Sequence, residues 1–308
     1  MKVTRKLLWF LGIVLAVVIA AGIGFYERPV TFFNAFLRFQ MRLAGVQSRW
    51  ITVNGFRMHY YVQGPENAPP AVLVHGLGGQ AEDWKNLAPY IVAGSLRVYT
   101  PDLPGFGRSE RPQSFSYSVA DQAATVVAFM DALGLKQVDL AGWSMGGWIA
   151  QRVALGHPDR IRLLMLFDSA GLNDQPAWNT ALFTPTTAIE LSQLNDLLMP
   201  HPPQVPGFIV NDILRISHGH AWVIRRSLDA MMAGHDITDA QLPTLRMPVL
   251  IVWGSADRMF PVTQAEKMHR LIPQSQLDVI DGCGHLAPAQ CADKMGPKVE
   301  EFLKRPAQ

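Results

Sequence analysis

VDLAGWSMGGWIAQRVA, Val138 to Ala154, changes its period at a serine. Up to Gly142 the residues form a short apolar run of the kind buried on both faces of a parallel sheet. From Met145 onward the spacing is that of a helix. Between the two, Gly142-Trp143-Ser144-Met145-Gly146 fits the pattern G-x-S-x-G, a strained turn that lifts a serine hydroxyl above the end of a strand. Glycines suit this place because a Cβ would clash where the helix packs back against the strand. The helix N-terminus behind Ser144 favours negative charge developing there. As a bare pattern the five residues are common. Set between a buried strand and a helix, they point to a nucleophile rather than to a serine capping a helix.

A serine nucleophile needs a base, and the base needs a carboxylate to orient it. The chain order to look for is Ser, then Asp or Glu, then His. Asp257, in VLIVWGSADRMFP, follows one strand-like run, and His285, in LDVIDGCGHLAP, follows the last one on a loop freed by Gly282 and Gly284. All three residues fall at C-terminal ends of expected strands, where open α/β sheets carry their sites. Asp168, in LFDSAG, also ends a strand and is the rival acid; Asp257 fits the chain order better. Asp281 stands too near His285 in sequence to be the obvious partner. His75, in VHGLGG, is read as holding its loop in shape. His218 and His220 form H-x-H, but no third ligand is apparent and the zinc templates do not match.

Attack on a carbonyl creates an oxyanion that needs donors fixed in advance. The N–H of Met145, at the helix start, is one candidate, and the loop HGLGG supplies another, assigned to Leu77 N–H. Cys283 is read as a small filler beside the histidine. With Cys291 it makes two cysteines, too few for a disulfide framework, which leaves the redox compartment open.

Working outward, apolar runs of the same kind (AVLVHG, LRVYTPD, IRLLMLFDS, MPVLIVWG and SQLDVIDG) alternate with helical patterns such as SVADQAATVVAFMDALG. That alternation predicts an α/β fold, a mostly parallel sheet flanked by helices. WITVNGFRMHYYVQG alternates around Asn54-Gly55, a hairpin signal. Between Gly171 and Leu242 the alternation fails. TTAIELSQLNDLLM and GFIVNDILRISHGHAWVIRRSLDAMMAG flank the break PHPPQVPG, which reads as an inserted helical lid rather than a loop. A chain of 308 residues can bury a sizeable core, and a net charge of +2 without a basic stripe argues against nucleic acid as a partner.

The N-terminus stands apart. Leu7 to Tyr26 carries no charge, and as a helix it would span about 30 Å, the thickness of a bilayer core. A retained anchor is expected. The competing reading is a cleaved signal peptide led by Lys2, Arg5 and Lys6, against which stand the length of the run and the poor cleavage site at Ala20 to Gly22. Phe32, Phe36, Phe39 and Leu43 then repeat at helical spacing, either on a helix lying at the headgroup level or on one packed against the domain. Basic residues balance across the apolar run, so membrane orientation stays open. The expected divisions are residues 1–26 (basic lead and anchor), 27–49 (amphipathic connecting helix), 50–170 and 244–308 (the two parts of the core) and 171–243 (the lid).

LVHGLGG, PDLPGFGRSE, GWSMGG, VLIVWGSAD and GCGHLAP, in this order, resemble the α/β-hydrolase superfamily over nearly everything from Trp50 to Leu303. With the anchor and the G-x-S-M-G-G elbow, the chain is similar to membrane-anchored monoacylglycerol lipases and related bacterial lipases and esterases. The resemblance implies hydrolysis of a carboxylic ester of moderate chain length drawn from the membrane, with no cofactor and no metal. Trp143, Trp178, Phe183, Phe208 and Met231 are expected in an acyl pocket, although apolar lid residues also serve to glue a lid to its core. Two other functions stay open. One is hydrolysis of a carbon–carbon bond in aromatic ring-cleavage products by the same triad; the other is non-catalytic binding by a membrane-tethered scaffold. Ser144 argues against dehalogenases and epoxide hydrolases, which need an aspartate at the elbow.

Overall fold

The computed structural model describes residues 5–174 and 178–304, the side chain of Lys6 excepted. Lys2 and the Lys6 side chain, from the basic lead, lie outside the described residues, as do residues 175–177 of the expected lid. Two helices come first, α1 (Arg5–Glu27) and α2 (Pro29–Leu43), the second opened by a proline at a position that needs no N–H. The body follows as β1 (Gln47–Val53), β2 (Phe56–Gln63), β3 (Pro70–Val74), α3 (Ala88–Ala93), β4 (Arg97–Pro101), α4 (Val119–Ala132), β5 (Val138–Trp143), α5 (Met145–Gly156) and β6 (Ile161–Phe167). After α6 (Ala188–Leu198) and α7 (Gly207–Met232), it resumes with β7 (Val249–Gly254), α8 (Val262–Leu271), β8 (Gln276–Ile280), α9 (Ala287–Gln290) and α10 (Ala292–Leu303).

The eight strands form one sheet in the order β1-β2-β4-β3-β5-β6-β7-β8. β1 and β2 pair antiparallel, β2 joins β4 antiparallel, and every pairing from β4 through β8 is parallel. The hairpin begins at Gln47, ahead of the expected Trp50, and turns on Asn54 and Gly55, whose φ values of 50° and 82° are those a tight two-residue hairpin requires. Strand side chains alternate between two cores. Val72, Val74, Leu164 and Leu166 meet α4, α5 and α8 on one face. Ala71, Leu73, Met165 and Phe167 meet α3 and α10 on the other.

α2 packs against the body, one of the two alternatives left open for it. Leu37 and Met41 pack against Tyr61 and Ala81 of the body, and Arg38 Nε donates to Glu82 Oε1 at 2.8 Å. Its Phe32, Phe33, Phe36, Phe39 and Leu43 remain exposed. α6 opens with a capping box, Thr187 taking the Glu190 N–H while Glu190 takes that of Thr187. The start of α7 docks on the N-terminal helices: Phe208 stacks on Tyr26 at 5.0 Å, and Asp212 Oδ2 accepts the Val30 N–H at 3.0 Å.

The contact that fixes the sheet's centre is between β5 and α5. A Cβ on Gly142 would strike the carbonyl of Gly146, and a Cβ on Gly146 would strike the carbonyl of Val74. All these obstacles are backbone, which cannot rotate aside. Gly146→Ala is therefore expected to abolish or severely lower cooperative thermal unfolding. Gly219→Ala, on a stretch of α7 with open space around it, should stabilise the fold by about 0.5–1 kcal/mol. Calorimetry on the two variants checks both.

Candidate active site

Ser144 sits between β5 and α5 with φ 57° and ψ −122°, a conformation side chains rarely adopt. Its N–H donates to Phe167 O, and its carbonyl accepts the N–H groups of Gly147, Trp148 and Ala170, so the neighbouring strand and the helix start hold the strain in place. β7 delivers Asp257, whose Oδ1 accepts the N–H groups of Met259 and Phe260 at 2.8 and 2.9 Å. Its Oδ2 stands 2.8 Å from His285 Nδ1. His285 Nε2 in turn lies 2.9 Å from Ser144 Oγ. Asp257 takes the Nδ1 proton, which leaves Nε2 as the acceptor for the serine hydroxyl.

The imidazole is held on several sides. Trp143 Nε1 donates to the carbonyl of His285 at 2.8 Å, and the Phe260 ring stands edge-on to the imidazole at 5.2 Å. Cys283 and Cys291, read from sequence as a filler and an isolated companion, form a disulfide that brackets His285. Cys283 O also accepts the Ala256 N–H, tying the histidine loop to the aspartate loop.

Asp168 does not reach the histidine. It is fully buried, its Oδ1 accepts Gly254 N–H at 2.7 Å, and its Oδ2 has no regular hydrogen bond. Burial, and then the adjacent Asp257, raise its pKa well above the usual carboxylate range, so it is held neutral. Asp257, by contrast, faces three donors, the N–H groups of Met259 and Phe260 and the imidazole.

His75 lies beneath the loop that carries Leu77. Its Nε2 accepts the Leu103 N–H and its Nδ1 donates to Gly76 O, while burial lowers its pKa. It is a neutral strut. Among the described residues, the N–H groups of Leu77 and Met145 have no acceptor within the protein. His218 is exposed and His220 half-buried, and no cluster of three metal-ligating side chains occurs among the described residues.

A second Ser-His-Asp chain was not foreseen. Ser48 Oγ lies 2.8 Å from His59 Nε2, and His59 Nδ1 lies 2.8 Å from Asp102 Oδ2. Arg108 Nη1, 2.9 Å from the same Nε2, occupies the lone pair that a base would need. His59 is fully buried, and neither it nor Ser48 lines the cavity above Ser144. Asp102 also accepts the Ala81 and Arg108 N–H groups. Despite burial, those bonds and His59 hold its pKa below the usual value. The arrangement braces the loops on either side of β4. Its residues come from β1, β2 and the end of β4, too scattered for any sequence motif to announce.

Above Ser144 lies a cavity of about 420 Å³. Trp143 and Phe183 line it, with Leu191, Leu194 and Leu198 of α6 and Ile213, Ile216 and Ile224 of α7. Three residues expected in the pocket are elsewhere. Trp178 packs on Phe183 and Phe260 and donates to Met259 O, Phe208 faces Phe25 and Tyr26, and Met231 is turned into the core. Aromatic or sulfur character did not select the lining. The face of each helix did, and aliphatic residues at helical spacing on α6 and α7 were the signal. A second cavity of about 670 Å³, lined by Phe25, Val30 and Phe33 of the N-terminal helices and by Ile209 of α7, shares Asp83, Gly107, Arg111, Ile213, Ile216 and His220 with the first.

A 2-hydroxymuconate semialdehyde hydrolase from Pseudomonas putida is 30% identical over 273 residues, covering 83% of this chain and 93% of the relative. Lipase 1 of Psychrobacter immobilis is 25% identical, covering 81% of each. A crystal structure of a membrane phospholipase A, described as a novel bacterial virulence factor, superimposes with a TM-score of 0.82 at 28% identity. It covers 96% of this chain and 97% of that one. The sequence profile of the alpha/beta hydrolase family matches residues 71–295, from β3 through the loops bearing Ser144, Asp257 and His285. This chain belongs to the alpha/beta hydrolase family.

Proposed function

We propose that the chain is a serine hydrolase of carboxylic esters carried by membrane lipids, an acylglycerol lipase or esterase in the broad sense, working through an acyl-enzyme on Ser144. The observation that carries this reading is the shared wall of the two cavities, which sets the space above Ser144 directly beside a space lined by the N-terminal helices. Ser144 Oγ attacks the ester carbonyl as His285 Nε2 accepts its proton. The oxyanion is received by the N–H groups of Leu77 and Met145, fixed before reaction and therefore costing no reorganisation. Asp257 holds the imidazole tautomer and stabilises its charged form. His285 then protonates the departing alcohol, and water repeats the cycle on the acyl group.

A retained membrane anchor accompanies this reading. α1 is apolar, with a mean hydropathy of 2.6 over its most apolar 18 residues, and none of that stretch is buried. Each large apolar side chain left in water forgoes roughly 1.5–3 kcal/mol. Over Leu7, Leu8, Phe10, Leu11, Ile13 and Leu15 alone, that is comparable to the whole stability of a domain, about 5–15 kcal/mol. A bilayer covers such a surface. The stacking of Tyr26 on Phe208 argues for a segment kept rather than cleaved. The Cys283–Cys291 disulfide supports placing the body on an oxidising side of the membrane, since such bonds rarely persist in a reducing cytosol.

Carbon–carbon bond hydrolysis is the second reading, favoured by the identity to the Pseudomonas hydrolase. Against it, the match to the membrane phospholipase takes in 96% of the chain and so includes most of the N-terminal helices.

A p-nitrophenyl ester series from acetate to laurate, run beside monoacylglycerols and a vinylogous diketone, tests the assignment. Hydrolysis is expected to favour medium acyl chains and to disappear in Ser144→Ala; turnover of the diketone alone would select the second reading. Asp257→Asn should lower kcat by about 10⁴. Asp168→Asn, replacing a neutral buried acid by a neutral amide, is expected to stay within about threefold, since no charge or proton to His285 is removed. Steady-state kinetics on the folded variants decides. For the disulfide, chain extracted from membranes with thiols blocked should show no free cysteine until reduced, a result read by mass spectrometry.

A further inference from the structure

The wall shared by the two cavities carries a cation that forms no ion pair with a carboxylate among the described residues. Arg111 lines both spaces, half-buried. Its Nη2 donates to Gly107 O at 2.8 Å, which fixes the plane of the guanidinium, and its buried Nε has no acceptor. It takes part in no ion pair among the described residues, whereas Arg38, the other arginine of these walls, is paired with Glu82. Tyr117 and the Asp102 carboxylate act on it only at a distance, without an ion pair, and the titratable groups that line the shared wall do not neutralise it. His220 carries a pKa lowered by burial and by Arg111 itself, so its ring is neutral. The Asp83 carboxyl is pushed up to about 7 by burial and by Glu82 and Asp102, and the Gln80 N–H occupies its Oδ2. A guanidinium that is desolvated, immobilised and short of an acceptor is a receptor for an oxyanion.

We infer that Arg111 selects ester substrates carrying an anionic group, a phosphate or a carboxylate, on the alcohol side of the scissile bond. This rests on the ester-hydrolase reading and deepens it. With the ester carbonyl at Ser144 and the acyl chain among the aliphatic residues of α6 and α7, the alcohol portion is directed to the shared wall, where Arg111 meets its polar substituent. The Gly107 bond fixes the guanidinium, and Nη1, which makes no hydrogen bond among the described residues, is left to meet an anion oxygen.

The test compares lauroyl glycerophosphate, lauroyl glycerate and neutral lauroyl glycerol on the full-length chain in detergent at pH 6, where Asp83 is mostly neutral. The quantity read is kcat/KM for each anionic ester divided by that for the neutral one. The wild type is expected to prefer at least one anion, and which one distinguishes phosphate from carboxylate. Arg111→Gln should lower that ratio roughly ten- to a hundredfold, through KM rather than kcat. Arg111→Lys keeps the charge without the fork and should give an intermediate ratio; it also serves if the glutamine variant fails to fold. A wild-type ratio near one, or a ratio that neither substitution moves, overturns the inference. Should none of the three esters, nor p-nitrophenyl butyrate, be hydrolysed by the wild type, the ester reading itself has failed.

Discussion

The approach of α5 to β5, close enough that neither Gly142 nor Gly146 tolerates a Cβ, is the constraint from which the rest of the site follows. It obliges the chain to reverse over one residue, and that residue, Ser144, is left with a positive φ and its side chain above the sheet. The same reversal starts a helix whose first N–H groups point back at the serine. The proposed nucleophile, its exposure and the proposed donor for developing charge thus come from a single steric condition. What the other strands contribute is placement: β7 and β8 end beside β5 and β6, so the loops after them reach Ser144 without long excursions.

Charge in this region is sorted by counting donors. Asp168 and Asp257 are neighbouring buried carboxyls, and two ionised groups cannot share such a site cheaply. The backbone resolves the conflict. Asp257 takes two N–H groups and the imidazole, while Asp168 takes one N–H and keeps its proton. Ser48, His59 and Asp102 repeat the geometry of a triad with equally short distances, yet the arginine on His59 Nε2 makes it a brace. Distances alone do not define an active site. An available lone pair and room for a substrate do.

Much of this was legible in the sequence because its signals are local. The elbow is five contiguous residues, each strand is a continuous apolar run, and the loops bearing Asp257 and His285 follow their strands directly. The order of acid and base then needed only the fold. What escaped depends on rotation and long-range pairing. Phe208 and Met231 are on the expected helix, but facing α1 and the core instead of the cavity, and a side chain's azimuth on a long helix is set by partners far away in sequence. Pairing of Cys283 with Cys291 likewise depends on the loop geometry around His285. The alternatives for α2 could not be separated from its spacing, because the helix has two apolar sets, Leu37 and Met41 packed inward and the phenylalanines exposed outward.

That last feature has a mechanical consequence. Held to the body by Leu37, Met41 and the Arg38–Glu82 pair, α2 leaves no slack tether between the apolar helix and the sheet. If α1 spans a bilayer, the body is a fixture with a set height and tilt, not a ball on a string. Its encounters then occur in two dimensions, within the leaflet, and its working rate depends on the mole fraction of substrate among lipids rather than on any concentration in solution.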